Sequence, residues 1–337
     1  MSLSLIKVSL FGSSNATTKN FTPSKDIPSL SDRVLLITGA AGDLGRQTAI
    51  DLASYGRPSQ IFIADLPRPD EGASALEAIR SALPEDARNA VTLTYLPLDL
   101  SSFASIRSAA SKFLSASPRL DTLILNAGIM PVTPGTTTEG YEITFGVNYL
   151  GHALLTRLLT PTMLSTAKSQ PDVRIVIVAS EGHGMAPKGG VQYSSLKTPC
   201  EKMGAFRRYG QSKIALIGLA RELAREYPVI KAAAIHPGRI STGISTELTE
   251  KYRFIRMSGP ISRWTTTTVE MGARNQIWAA TSGDVVSGKY YIPTGIEDKK
   301  TLVDKDASFS KKLWEWTENE LKGIEIGQGN GEADETM

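Results

Sequence analysis

The stretch Arg33-Val-Leu-Leu-Ile-Thr-Gly-Ala-Ala-Gly-Asp-Leu-Gly45 decides how this 337-residue chain folds. Arg33 to Thr38 is a continuous apolar run of the kind shown by a strand buried in a parallel sheet. Gly39, Gly42 and Gly45 follow at once, with Asp43 and Leu44 between the last two. The helical pattern from Arg46 to Tyr55 comes next. Strand, glycine turn and helix in that order are the context in which a glycine motif binds a dinucleotide. The glycines let backbone approach a pyrophosphate, and the helix N-terminus offers amide donors and a positive dipole end. A tight turn without a ligand is the plainer alternative.

The alternation continues outward from this unit. Gln60 to Ala64 reads as a strand and ends in Asp65, 20 residues beyond Gly45. An acid at that offset suits the two ribose hydroxyls of an adenosine and repels a 2′-phosphate. Arg68 would soften that repulsion, and a strand-end Asp capping the next turn is the alternative. Helices are expected over Gly72 to Leu83, Phe103 to Leu114, Tyr141 to Leu164, Gln211 to Tyr227, Val269 to Thr281 and Leu302 to Leu321. Strands are expected over Val91 to Pro97, Thr122 to Leu125, Val173 to Ala179, Ile230 to Ile235 and Lys289 to Ile292. Such an order belongs to an α/β protein with a Rossmann-type, doubly wound parallel sheet between two helical layers. One domain is expected over residues 30–322. An N-terminal arm, 1–29, precedes it, and a Gly-rich, acidic, disordered tail, 323–337, follows.

The chemistry gathers at strand ends. Tyr209-Gly-Gln-Ser-Lys213 puts a phenol and an ammonium four residues apart on one helix face. An ammonium there favours the phenolate and lowers a pKa that is ordinarily near ~10. The pair then serves to give or take a proton at an alcohol or ketone oxygen. A surface Tyr and a solvated Lys are the alternative for the motif taken alone. Ser180 stands at the carboxyl end of its strand, where ligands bind in an open parallel sheet. Asn126, Ala127 and Gly128 follow another strand directly; small residues let a cofactor pass, or simply make a turn. Asp99 and Leu100 lie where an adenine would sit, although Asp99 equally suits a helix N-cap. Asn148 falls among Phe145, Val147 and Leu150, which suggests burial with a task. His183 reads as a structural hydrogen-bonding residue. A loop over 181–208 covers the site, and 239–264, with Ile244, Leu248 and Phe254, reads as a lid or as core packing.

Composition narrows the classes. Net charge is +3 with Lys and Arg scattered, so no nucleic-acid surface is expected. The lone Cys200 excludes an internal disulfide and reads as a structural thiol. No apolar run reaches the roughly 18 residues of a membrane span, and no secretory signal is evident. A cytoplasmic location is therefore expected, and the glycosylation patterns at Asn15 and Asn20 are read as chance. A homodimer is among the expectations; no metal site is.

Thr38-Gly39 through Gly45, Asn126-Ala-Gly128, Asn148, Ser180, Tyr209 with Lys213, and Pro237-Gly238 occur in an order that resembles the short-chain dehydrogenase/reductase family. The resemblance runs from about Leu30 to Leu321. Phe145-Gly-Val-Asn-Tyr-Leu-Gly-His152 and Leu313-Trp-Glu-Trp316 are similar to the branch of retinol dehydrogenases and WW-domain oxidoreductases. It implies a sheet of about seven parallel strands and an NAD(P)(H)-dependent alcohol dehydrogenase or ketone reductase. NAD(H) is favoured by Asp65, with NADP(H) the alternative, and the substrate is a fairly apolar small molecule. Tyr209 would be the general acid/base, and Lys213 would lower its pKa and hold the nicotinamide ribose. Ser180 would bond the substrate oxygen, and Asn148 would hold the helix geometry and a relay water. Pro237, Gly238 and Ile240 would complete the cofactor contacts. One departure stands out. The family pattern T-G-x-x-x-G-x-G has Asp43 at its middle glycine and a glycine one place earlier, at Gly42. That spacing resembles extended members, many of which are epimerases or dehydratases. A redox-neutral enzyme with bound NAD, and a non-catalytic nucleotide-binding regulator, are the remaining alternatives.

Overall fold

The computed structural model describes residues 19–67, 70–240 and 267–325. Eight strands form one sheet: β1 Val34–Thr38, β2 Gln60–Asp65, β3 Thr92–Pro97, β4 Thr122–Leu125, β5 Val173–Val178, β6 Ile230–Ile235, β7 Tyr290–Ile292 and β8 Ile296–Glu297. Their spatial order is β3-β2-β1-β4-β5-β6-β7-β8. The first seven run parallel, and β8 closes the edge antiparallel to β7. The strand order reverses between β1 and β4, so a crevice opens at the carboxyl ends of those strands.

Helices cover both faces. They are α1 Asp43–Asp51, α2 Glu71–Ala82, α3 Glu85–Ala90, α4 Phe103–Ala116, α5 His152–Ala167, α6 Ala205–Glu226, α7 Val269–Thr281 and α8 Ala307–Glu320. Period-2 alternation along β1 feeds two cores. Val34 and Leu36 join Phe113, Leu154, Leu219 and Leu313 under α4, α5, α6 and α8. Leu35 and Ile37 join Ala49, Ile79, Ile277 and Trp278 under α1, α2 and α7. Both faces of the strand are covered, so Val34–Thr38 is buried throughout and every residue before the terminal Thr38 is apolar.

Several elements differ from the sequence expectations. The helix carrying Tyr209 begins at Ala205, after an N-cap at Gly204, and not at Gln211. The loop over 181–208 is correspondingly shorter and contains 3₁₀ turns at Glu181–Met185 and Tyr193–Ser195. The helix expected from Tyr141 starts at Ile143, because the Glu142 carboxylate accepts from the Thr144 and Phe145 amides. Gly146–Gly151 within it is a π-helical turn. Leu302–Leu321 breaks at Asp306, whose carboxylate caps α8 by accepting from the Ser308 amide. The chain packs well before residue 30. Phe21 and Ile27 are buried in the second core, and a helical turn spans Pro23–Asp26. Helix α3 and strand β8 were not expected. The lid segment from Gly243 to Pro260, Arg68, Asn15 and residues 326–337 of the tail lie outside the described residues.

Candidate active site

At the β1 end of the crevice, Gly39 takes a left-handed φ of +65°, and a Cβ on Gly45 would come within 2.3 Å of the Gly39 carbonyl oxygen. Only glycine permits that close approach between turn and helix. Gly42 is the N-cap of α1 and contributes no side chain, so the first-turn amides keep no side-chain cap. Asp43 is the first residue of α1. Its side chain is 47% exposed and lies 3.5 Å from Arg46. Leu44 sits beside it in the first turn, its carbonyl accepting from the Thr48 hydroxyl at 2.8 Å. The Asn126 side-chain amide donates to the carbonyls of Thr38 and Gly39 at 2.9 and 3.2 Å. The Asn126 and Ala127 amides both donate to Thr38 Oγ1, at 2.9 and 3.0 Å.

The Asp65 carboxylate accepts from the Ala41 amide at 2.8 Å and from the Leu66 amide at 2.8 Å. It thus holds the glycine turn from the end of β2, with its charge beside the turn. Asp99 accepts from the Ser101 amide and hydroxyl at 2.8 and 2.7 Å. The cap of α4 is Ser102 and not Asp99. Leu100 is buried nearby.

At the β5 end, α6 carries Tyr209 and Lys213 one turn apart. Lys213 is buried, its ammonium donating to the Val178 carbonyl at 2.8 Å and lying 5.4 Å from the centre of the Tyr209 ring. Burial pulls its pKa down to about 7. Burial also raises the Tyr209 phenol above its ordinary value; a hydrogen bond with Ser180 opposes the rise and the Glu181 carboxylate adds to it. The expectation that Lys213 lowers the Tyr209 pKa is therefore not met in this structure. The reason is that desolvation acts on both groups and weakens the ammonium itself. Ser180 accepts from the Gly182 amide at 3.0 Å, and its hydroxyl keeps its own proton to donate.

Asn148 is fully buried in the π-helical turn. Its amide accepts from the Ile129 amide at 2.7 Å and donates to the Ile129 carbonyl and the Ser212 hydroxyl at 2.9 and 3.0 Å. A methyl group on Gly128 would lie 3.4 Å from Lys213 Nζ and 3.5 Å from Asn148 Oδ1. Asn148, Ser180, Tyr209 and Lys213 are thus brought together around the end of β4. Past β6, Gly238 has φ +95° and its amide donates to His236 Nδ1 at 3.4 Å. Burial drives the His236 pKa down to about 3. Arg239 pairs with Glu181 and draws the Pro237–Ile240 turn against the Ser180 turn. Ile240 bridges to Thr267 and packs on Gly272 of α7.

Two parts of the site escaped the sequence reading. Met130 and Val132 form a small apolar cluster with Phe206 and Tyr209, a wall beside the phenol. The signal for it was position alone: both follow the Asn126-Ala-Gly128 turn. The other is a buried ion pair between Arg208 and Glu142, discussed below. His183 stands edge-on to Tyr290 at 5.4 Å, and Cys200 donates its thiol to the Ser195 carbonyl. A cavity of about 610 Å³ beside Cys200, lined by Gln192, Met203 and Arg207 among others, includes none of the four converging residues. Among the described residues, no group of three His, Cys, Asp or Glu is placed to hold a metal, and no helix is long and apolar enough to cross a membrane.

Comparison with known proteins gives this arrangement its class. The short chain dehydrogenase family model matches residues 33–253. The chain belongs to the short-chain dehydrogenase/reductase family of oxidoreductases, whose general chemistry is hydride transfer with a nicotinamide nucleotide. It is 34% identical over 297 residues to retinol dehydrogenase 14 of Homo sapiens, covering 85% of each chain. It is 30% identical over 320 residues to the short-chain dehydrogenase/reductase drtF of Aspergillus calidoustus, covering 89% of this chain and 97% of that one. An uncharacterized protein from Mycobacterium paratuberculosis superposes with a TM-score of 0.67 at 26% identity, over 92% of this chain and all of that one (100%). The fold is shared with the RhlG/NADP complex of Pseudomonas aeruginosa, TM-score 0.57 at 24% identity, over 82% of this chain and 98% of that one.

Proposed function

We propose that this protein is an NAD(H)-dependent alcohol dehydrogenase or ketone reductase acting on a fairly apolar small molecule. The observation that carries the reading is the convergence of Ser180 and Lys213 on Tyr209, against a wall of Met130, Val132 and Phe206. A proton-handling phenol flanked by apolar side chains suits a carbonyl carbon with apolar substituents.

The residues present fit a dinucleotide. The uncapped first turn of α1 and the Cβ-free approach at Gly39 and Gly45 suit a pyrophosphate. Asp65 suits the adenosine ribose, and Asn126, Ala127, Gly128, Pro237, Gly238 and Ile240 line the way to the β5 end. When bound, the nicotinamide supplies or accepts the hydride. The protein manages one proton. Tyr209 gives its phenolic proton to the carbonyl oxygen in reduction and takes it from the alcohol in oxidation. Ser180, whose oxygen already accepts from Gly182, turns its hydroxyl toward that same oxygen. Lys213, with a pKa of about 7, is placed to restore the phenol. Asn148 fixes the Ile129 backbone and Ser212, and through them the spacing of the loop and α6.

The test is turnover of NADH with a panel of aryl and alicyclic ketones, followed by a crystal soaked with cofactor and any active ketone. Turnover by the wild-type chain supports the reading. NADH binding without turnover of any member of the panel counts against it.

Two predictions concern the cofactor end. Asp65→Ser removes the charge that repels a 2′-phosphate, so the ratio of NADPH to NADH affinity by calorimetry is expected to rise. A wild-type protein that already prefers NADPH removes Asp65 from the ribose. Asp43→Gly is expected to leave NADH affinity unchanged, because that carboxylate is half-exposed and pairs with Arg46. The variant should lose about 0.5–1 kcal/mol of stability through backbone freedom and the lost acid at a helix N-terminus. Tighter NADH binding by Asp43→Gly in a titration contradicts this placement.

A further inference from the structure

We propose that His152 is a positioning residue that ties the cofactor end of the site to the Asn148 segment, through an imidazole hydrogen-bonded at both nitrogens. The inference rests on the reading of Gly39–Gly45 and Asn126–Gly128 as a nucleotide site. His152 is fully buried at the start of α5. Its Nε2 is 2.9 Å from Thr38 Oγ1 and its Nδ1 is 2.9 Å from the Asn148 carbonyl oxygen. A carbonyl oxygen only accepts, so Nδ1 must carry the proton. Nε2 is then an acceptor, and the Thr38 hydroxyl donates to it. That leaves the Thr38 oxygen to accept from Asn126 and Ala127, which it does. The other acceptor near the Thr38 hydroxyl, the Ile124 carbonyl, is farther, at 3.5 Å.

Every donor and acceptor in this chain has one self-consistent assignment. It runs from the amides of Asn126 and Ala127, through Thr38 at the head of the glycine turn, to His152 and Asn148. The Asn148 side chain then holds Ile129 and Ser212, three residues from Tyr209 on α6. The network needs the imidazole neutral. Burial favours that form, the bond to the Asn148 carbonyl opposes it, and the nearby Lys213 ammonium adds to the effect of burial. A shift of the Asn126–Gly128 turn on nucleotide binding would be transmitted by these bonds to Asn148.

The chain has three histidines, so the imidazole nitrogens can be resolved by ¹⁵N NMR on labelled wild-type protein, with His152→Gln supplying the assignment. His152 is expected to show a protonated Nδ1 and an acceptor Nε2, unchanged down to about pH 5, below the ordinary titration of histidine. Its Nε2 resonance is expected to move on saturation with NADH. His236, which accepts at Nδ1, is expected to show the opposite tautomer. His152→Phe and Thr38→Val are each expected to weaken NADH binding roughly tenfold, the scale of one lost hydrogen bond. Their double variant should be little worse than either single, since both break one chain. A protonated Nε2, titration near the ordinary histidine range, an Nε2 signal indifferent to bound NADH, or additive losses in the double variant each overturn the inference. So does a His152→Phe protein that melts lower but binds NADH as before. Failure of the wild-type chain to bind either NADH or NADPH strikes instead at the nucleotide reading, and leaves the tautomer result to judge the network by itself.

Discussion

Replacing Tyr209 by Phe is expected to lower turnover by roughly 10²–10⁴-fold, the range typical when a general acid/base is lost. The ring stays against Met130, Val132 and Phe206, so the wall survives. NADH binding is expected to persist, because Lys213 is held by the Val178 carbonyl and not by the phenol. What disappears is the phenolic hydroxyl that is hydrogen-bonded with Ser180. Single-turnover kinetics with a ketone that the wild-type chain reduces, alongside calorimetry with NADH, separate the two effects. Near wild-type turnover in the Phe variant removes Tyr209 from the proton transfer and moves attention to Ser180 and Lys213.

Buried parallel strands were legible because both faces are covered, which favours continuous apolar runs such as Val34–Ile37 and Ile175–Val178. The glycine turn was legible because Gly39 and Gly45 answer to a steric demand that no other residue meets. Strand β8 was not legible: two residues carry no pattern, and only pairing with β7 defines it. The start of α6 was misplaced because Gly204 is a weak sign of an N-cap. Helix α3 did leave a sign that went unused, Pro84 at its N-cap followed by Glu85 and Asp86. The Tyr209 pKa went the wrong way because spacing along a helix reports proximity to Lys213 but not the burial of both groups. Contacts distant in sequence left no trace at all. His152 and Thr38 are 114 residues apart, and Arg208 and Glu142 are 66 apart.

That last pair gives the largest expected effect on stability. Arg208 is 1% exposed at its side chain and Glu142 is fully buried (0%). Their charged ends are 3.3 Å apart, and the guanidinium also donates to the Pro131 and Val132 carbonyls at 3.1 and 2.9 Å. Glu142 in turn caps the helix that leads to Asn148. One guanidinium therefore joins three elements: α6 beside Tyr209, the Met130–Val132 wall, and the Asn148 helix. Arg208→Met keeps much of the volume but leaves a buried carboxylate without its cation and removes the guanidinium bonds to the Pro131 and Val132 carbonyls. Breaking such a pair from one side costs about 3–5 kcal/mol. Glu142→Gln added to Arg208→Met removes the stranded charge while keeping an oxygen for the cap. The double variant is accordingly expected to be more stable than Arg208→Met alone, a coupling that a pair acting independently would not show. Guanidinium unfolding followed by tryptophan fluorescence measures all three proteins. A loss below about 1 kcal/mol in Arg208→Met, the range of an exposed pair, means that water reaches Glu142 and that the wall beside Tyr209 is held by other contacts.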